Sequence, residues 1–208
     1  MESSLLDMIL YKAWRIQEEL ELYGIDNVLL NDIASIAYGV PRLFFETRIL
    51  VEKDSDNRLV GEALATVLGM KNYLGDIINR LDKEGRVALN PLVTPVVYIV
   101  KASSRIEYAC LENTRSIDVS GYRIKIPCLE EYIAYLYTLD NLYPYIVDAI
   151  TLHIIHHEIL DHSKLREYGV TTERLCSIVD EIRDLTNIFY EVNSIVEAIR
   201  EKYCSSKE

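Results

Sequence analysis

The sequence contains little that would indicate a secreted, zinc-binding or membrane-spanning protein. Its four cysteines, Cys110, Cys128, Cys176 and Cys204, show no CxxC spacing, which argues against a zinc ribbon and predicts buried free thiols. No apolar run reaches the roughly 18 residues that a transmembrane helix needs, and the opening residues lack the basic stretch of a signal peptide. We therefore expect a cytoplasmic protein without a membrane segment.

Basic residues are also in short supply. The 22 lysines and arginines are outnumbered by 33 aspartates and glutamates, and the net charge of −11 argues against a broad nucleic-acid-binding surface. Half of the residues are hydrophobic and 26% are charged, as in an ordinary globular protein. Gln17 is the sole glutamine, a scarcity that favours a heat-adapted source, although asparagine is not depleted.

The common catalytic signatures are absent as well: there is no Gly-x-Ser-x-Gly motif, no Walker loop and no cysteine–histidine nucleophile arrangement. What the sequence does have is one organised stretch, residues 25–51. It contains an apolar run from Val28 to Leu30, a helical turn from Asp32 to Tyr38, a Gly-Val-Pro connection and a strand from Leu43 to Val51.

The predicted strand carries charges opposite a core face. Residues two apart on a strand share a face. The apolar face would hold Leu43, Phe45, Thr47, Ile49 and Val51, and the other face Arg42, Phe44, Glu46, Arg48 and Leu50. Charges at Glu46 and Arg48 on such a strand are costly unless they are paired or used.

This order of elements resembles the polymerase-β-like nucleotidyltransferase superfamily, in particular its small prokaryotic branch of AbiEii-type toxins. The resemblance covers roughly residues 25 to 165, and the matching residues of its first motif are Val28, Leu29, Leu30, Ala34, Tyr38, Gly39, Arg42 and Leu50. It implies a mixed sheet flanked by helices. In such proteins, a glycine pair at a helix start approaches the phosphates, and strand carboxylates hold Mg²⁺ against a nucleoside triphosphate.

The sequence departs from this pattern at the catalytic positions. Asn31 and Asp32 replace the glycine pair, so that a negative charge stands where a phosphate would lie, and these two residues with Arg42 are the candidate nucleotide-binding residues. Glu46 keeps a carboxylate at the first metal position, but Arg48 takes the second, and a guanidinium cannot ligate a metal. The fold signature is retained and the catalytic signature is not.

A third carboxylate is implied by the resemblance on a neighbouring strand. The segments Pro95 to Val100, Arg105 to Leu111, Ser116 to Val119 and Tyr122 to Ile126 are predicted strands, with a hairpin turn at Ser120-Gly121. Glu107 would then face Glu46 and Arg48, or would be an exposed edge-strand residue. In the first case Arg48 either lies between the two carboxylates, the simpler arrangement, or moves toward a triphosphate while the carboxylates hold a metal.

The remaining elements are predicted helices. They span residues 4–23, 59–68 and 73–81, and again from Pro127 to the end. Residues 129–139 match a family helix through Glu130, Glu131 and Ile133, with Tyr135 or Leu136 in place of its phosphate-binding lysine. The last helix, 172–203, carries a heptad seam about 48 Å long, which favours a homodimer or a protein partner.

Four histidines fall in one ten-residue window: His153, His156, His157 and His162. On a continuous helix, His153, His157 and Asp161 share a face at i, i+4 and i+8, a spacing able to hold a divalent metal. Polar histidines on a solvated helix face are the alternative interpretation.

The sequence thus predicts an α/β protein: a nucleotidyltransferase-like mixed sheet with helices over residues 1–126, and a helical C-terminal region over 127–208 with one long helix. The predicted function is a binding or interaction protein that has lost catalysis and needs no cofactor. The alternative is an active, toxin-like nucleotidyltransferase that uses Glu46, Glu107 and Mg²⁺. A third interpretation is a metal-binding helical protein centred on the histidines.

Overall fold

A computed structural model describes residues 5–40, 46–89, 96–139, 143–185, 197–198 and 200–204. They form a mixed α/β structure, which confirms the predicted class. The chain divides into two compact units: unit 1 comprises Met1–Ala37 and Pro41–Cys128, and unit 2 comprises Tyr38–Val40 and Leu129–Glu208. No helix within the described ranges is long and apolar enough to cross a membrane.

Unit 1 is built on a four-stranded sheet with the order β1-β2-β4-β3. Strand β2 lies antiparallel to β1 and parallel to β4, and β3 lies antiparallel to β4. The elements in chain order are α1 (Leu5–Leu22), β1 (Asn27–Asn31), α2 (Asp32–Ala37), β2 (Glu46–Val51), α3 (Asn57–Leu68), a 3₁₀ turn (Lys71–Tyr73), α4 (Leu74–Glu84), β3 (Arg86–Leu89), β4 (Val96–Lys101), α5 (Arg105–Glu112), β5 (Thr114–Val119) and β6 (Tyr122–Pro127).

Strand β2 is a central strand with one fully buried face. Thr47, Ile49 and Val51 are completely buried, whereas Glu46 and Arg48 on the other face are partly accessible, as the alternation predicts. Leu50 shares the face of Arg48 but is also buried. The two charged side chains therefore lie at the start of the strand, where its second face is still reached by water.

The prediction of a strand over residues 105–111 is wrong, because this segment forms helix α5. The Ser104 hydroxyl accepts the Glu107 backbone N–H, and the Glu107 carboxylate accepts the Ser104 N–H at 2.9 Å. This reciprocal capping box satisfies donors that a helix start leaves unpaired. Ile106, Ala109 and Cys110 are buried at helical spacing. The local cap, together with this apolar spacing, favours the helix over a strand.

The hairpin predicted at Ser120-Gly121 is confirmed. It joins β5 and β6 into a separate two-stranded antiparallel sheet. Both turn residues have positive φ, 53° at Ser120 and 84° at Gly121. Positive φ at both central positions characterises the two-residue turns whose twist matches that of the flanking strands.

Unit 2 is helical in its described residues. Its elements are α6 (Leu129–Tyr137), α7 (Tyr143–Ile155), α8 (His162–Glu167), α9 (Thr172–Leu185) and a π-helical turn (Arg200–Cys204). Three tyrosines of α6, Tyr132, Tyr135 and Tyr137, are almost completely buried. Glu131 is also buried, and its carboxylate is compensated by Lys164, whose Nζ lies 2.7 Å away, and by the Tyr168 hydroxyl at 2.9 Å.

The prediction of one continuous helix over residues 172–203 is wrong. Cys176 and Cys204 form a disulfide with their Cα atoms 5.8 Å apart, although 28 positions separate them in sequence. A straight helix of that length would place them about 42 Å apart. The prediction of free thiols is therefore wrong for these two cysteines. The predicted seam residues between 186 and 196 lie outside the described ranges.

Candidate functional site

The corner between β1 and α2 contains a residue other than glycine with a positive φ. Asn31 is fully buried and has a φ of 61°, in the left-handed region that glycine adopts most readily. Asparagine is among the few other residues that tolerate this conformation. Asn31 stands where the resemblance places the first glycine, so its side chain is brought to the edge of the site.

Asp32 is the first residue of α2 and is completely buried. Its Oδ2 atom accepts the backbone N–H of Glu46 at 2.6 Å, which ties the start of α2 to the start of β2. The first turn of a helix presents free N–H groups and a partial positive charge, and it therefore attracts anions. Here the anion is a carboxylate of the protein itself.

Glu46 and Arg48 form an ion pair on the accessible face of β2. The Arg48 Nε atom lies 2.5 Å from Glu46 Oε1, and the Asn31 side-chain amide donates to the same oxygen at 3.1 Å. Both charged side chains are about a quarter exposed, 23% for Arg48 and 24% for Glu46. The remaining solvent contact screens this pair, so that its net contribution to stability is about 1 kcal/mol.

The strands on either side of β2 supply no further carboxylate next to this pair in their described residues. Arg48 is paired in register with Leu30 of β1 and Tyr98 of β4, and Glu46 is paired with Val96 of β4. Glu107, assigned to the site as a strand residue, instead caps α5 and also accepts the Ser103 N–H at 2.8 Å. The structural basis for its assignment as the third carboxylate is therefore removed.

Other positions of the expected nucleotide site are outside the described ranges or in the core. Arg42 belongs to the undescribed residues 41–45. Tyr135 and Leu136, at the position of the family's lysine, are 1% and 0% exposed. Neither side chain can reach a phosphate in solution from such a position.

The histidines do not form the predicted metal site. Helix α7 ends at Ile155, and Asp161 caps α8 by accepting the backbone N–H groups of Ser163 and Lys164 at 2.9 and 3.2 Å. The hydrogen bonds from Ser163 and Lys164 also hold the pKa of Asp161 below its ordinary value. The continuous helix that the i, i+4, i+8 spacing required does not exist. Within the described ranges, no group of three or more histidine, cysteine or acidic residues could hold a metal ion.

His153 nevertheless occupies an unusual environment. It is 3% exposed, and burial, with the nearby His162 and His157 rings, lowers its pKa to about 4. It borders a cavity of about 310 Å³ in unit 2, together with residues of α8, the start of α9 and Tyr203. Sequence reasoning missed this cavity because its walls come from four separate segments. The one local signal was the Thr171-Thr172 pair at a helix start.

The site in unit 1 pairs a cation with a carboxylate but offers few oxygen ligands for a metal ion. One carboxylate oxygen of Glu46 already receives two donors, from Asn31 and Arg48. A magnesium ion prefers several oxygen ligands in octahedral geometry, and a guanidinium beside the single accessible carboxylate repels it. Neither a family model nor a curated protein matches the sequence.

Proposed function

We propose that the protein is a nucleotidyltransferase-like protein that has lost catalysis and acts by binding. The observation that carries this proposal is the Arg48–Glu46 ion pair beside the buried Asp32. In an active site of the family these positions serve a metal ion and a phosphate. In this chain we assign the guanidinium of Arg48 to the metal position and the carboxylate of Asp32 to the phosphate position, so that Arg48 neutralises the retained carboxylate of Glu46 without a metal ion.

The local geometry supports the proposal that side chains of the protein stand where a metal ion and a phosphate bind in the family. Asn31 at the β1–α2 corner has a positive φ, and Asp32 lies at the helix start where a phosphate would bind. Arg48 contacts the one retained carboxylate. A metal ion would have to displace this cation and a triphosphate would have to displace a buried carboxylate.

The alternative is an active enzyme that uses Glu46 and Glu107 to hold Mg²⁺. The contacts of Glu107 argue against this alternative. One of its carboxylate oxygens accepts four hydrogen bonds from the backbone and hydroxyl groups of Ser103 and Ser104. Metal coordination through that oxygen would break the cap of α5 at a cost of about 1 kcal/mol. A binding role suits the net charge of −11, which favours a partner with basic groups.

The Arg48→Asp variant tests the site assignment. It places a second carboxylate two residues from Glu46, and we expect it to gain Mg²⁺ binding that the wild type lacks. Unit charges about 4 Å apart interact by about 1 kcal/mol even in water. Exchanging a positive for a negative charge next to a divalent ion should therefore strengthen binding by roughly tenfold or more. Isothermal titration calorimetry with MgCl₂ measures the gain.

The matched control is Arg48→Ala, which removes the cation without adding a ligand. It should bind Mg²⁺ more weakly than Arg48→Asp, and circular dichroism establishes that both variants are folded. Equal Mg²⁺ affinity in the two variants would show that residue 48 does not face a former metal position. The degenerate-site proposal would then lose its structural basis.

A further inference from the structure

The cavity in unit 2 has a cationic and hydrogen-bonding wall in an otherwise acidic protein. Among the described residues no carboxylate lines it. The polar residues around it are His153, His162, Arg166, Thr171, Thr172 and Tyr203. The guanidinium of Arg166 has no ion pair among the described residues and lies at the exposed end of α8. A protein of net charge −11 thus concentrates cationic and neutral donor groups around one opening.

Two polar atoms on this wall are buried without a hydrogen-bond partner among the described residues. They are His153 Nδ1 and the hydroxyl oxygen of Tyr203. His153 is 3% exposed, and the centres of its ring and the Tyr203 ring are 5.2 Å apart. Buried polar groups without a partner are rare in folded proteins because each loses its hydrogen bonds to water without replacement. Both of these residues border the same cavity.

The start of α9 opens onto the same cavity. Thr171 caps this helix by accepting the Arg174 backbone N–H at 3.2 Å, and the helix extends over 14 residues to Leu185. The first N–H groups of such a helix and its dipole attract an anion. The helix start therefore places backbone N–H groups on the side of the cavity formed by Thr171 and Thr172, and the first turn also carries the carboxylate of Glu173.

We infer that this cavity binds a small phosphate monoester, with the phosphate at the start of α9 beside Arg166. A volume of about 310 Å³ exceeds the need of a phosphate ion and matches the lower range of small-molecule sites. The buried side chains of Val170 and Leu175 supply an apolar wall for the organic part of the ligand. The site lies within unit 2 and is independent of the proposed function, which rests on unit 1.

The disulfide between Cys176 and Cys204 links two segments that each carry lining residues of the cavity. Cys204 follows Tyr203 directly, and Cys176 follows Leu175 on the second turn of α9. The covalent link therefore ties the segment that contains Tyr203 to α9. The binding experiment accordingly uses the full chain in its oxidised form.

Calorimetry with ribose 5-phosphate, inorganic phosphate and unphosphorylated ribose, at constant ionic strength, tests the inference. We expect ribose 5-phosphate to bind more tightly than inorganic phosphate, and ribose not to bind. Arg166→Gln should weaken ribose 5-phosphate binding by roughly tenfold or more, since it removes a charge-assisted hydrogen bond. Arg80→Gln, at an exposed arginine of α4 in unit 1, is the matched control and should leave the affinity unchanged.

His162→Gln is a second variant at an exposed position of the wall and should also weaken binding. Absence of heat with both phosphate compounds would overturn the inference. So would an equal loss of affinity in Arg166→Gln and Arg80→Gln, which would indicate a nonspecific charge effect. Equal affinity for inorganic phosphate and ribose 5-phosphate would overturn the assignment to a monoester.

Discussion

Replacing Cys176 by serine should lower the free energy of unfolding by about 3 to 4 kcal/mol under oxidising conditions. The disulfide to Cys204 closes a loop of 28 positions, and a cross-link of that span restricts the unfolded chain strongly. The effect should fall on unit 2, which contains both cysteines. Urea denaturation of the oxidised wild type and of the variant, followed by circular dichroism, measures the difference.

Reduction provides the internal control for this prediction. Dithiothreitol should destabilise the wild type by a similar amount and leave Cys176→Ser almost unchanged, because the variant has no Cys176–Cys204 bond to lose. Peptide mapping without reductant should recover the Cys176 and Cys204 peptides joined. If these peptides are separate and reductant has no effect on unfolding, the inference that Cys204 lies against α9 and is bonded to Cys176 is wrong.

Acid should destabilise the protein through His153. Burial lowers the pKa of His153 to about 4, whereas in the unfolded chain it has the ordinary value of 6.5. Between these values the unfolded state binds more protons than the folded state, so that stability falls as the pH falls. The contribution is fully present above pH 6.5 and is lost progressively down to about pH 4. The total loss is about 3 kcal/mol.

The measurement is the free energy of unfolding at a series of pH values for the wild type and His153→Gln. The absolute stability of the variant is not informative, because the substitution changes core packing. The slope of the free energy of unfolding against pH, between pH 6.5 and 4, is informative. This slope should be shallower in His153→Gln than in the wild type. His156→Gln, at a half-buried histidine of the same segment, should keep the steep slope. Parallel slopes in His153→Gln and the wild type would contradict the buried position of His153.

Much of unit 1 could be predicted because its patterns are local. The alternation around Glu46 and Arg48 identified β2 and placed both charges on one face, and an ion pair between them follows from the period of a strand. The prediction for the segment from Arg105 to Leu111 is wrong because the composition of this segment suits a strand. Its structure is decided by hydrogen bonds between Ser104 and Glu107.

The missed features of unit 2 depend on contacts between distant segments. A heptad seam has the same sequence appearance in one long helix as in shorter segments that fold back, and only the Cys176–Cys204 bond distinguishes the two cases. The cavity beside His153 likewise requires knowledge of where α7, α8, α9 and the C-terminal turn lie. Spacing along the sequence carries no such information.

A thermal shift with nucleoside triphosphates, with and without Mg²⁺, tests the central claim most directly. A ligand that binds only the folded state must raise the melting temperature. The Arg166→Gln background removes the expected phosphate contact in unit 2, so that any remaining shift reports on unit 1. We predict no Mg²⁺-dependent rise with any triphosphate. A Mg²⁺-dependent rise that Glu46→Gln abolishes would contradict the proposed loss of catalysis and would restore the enzyme interpretation.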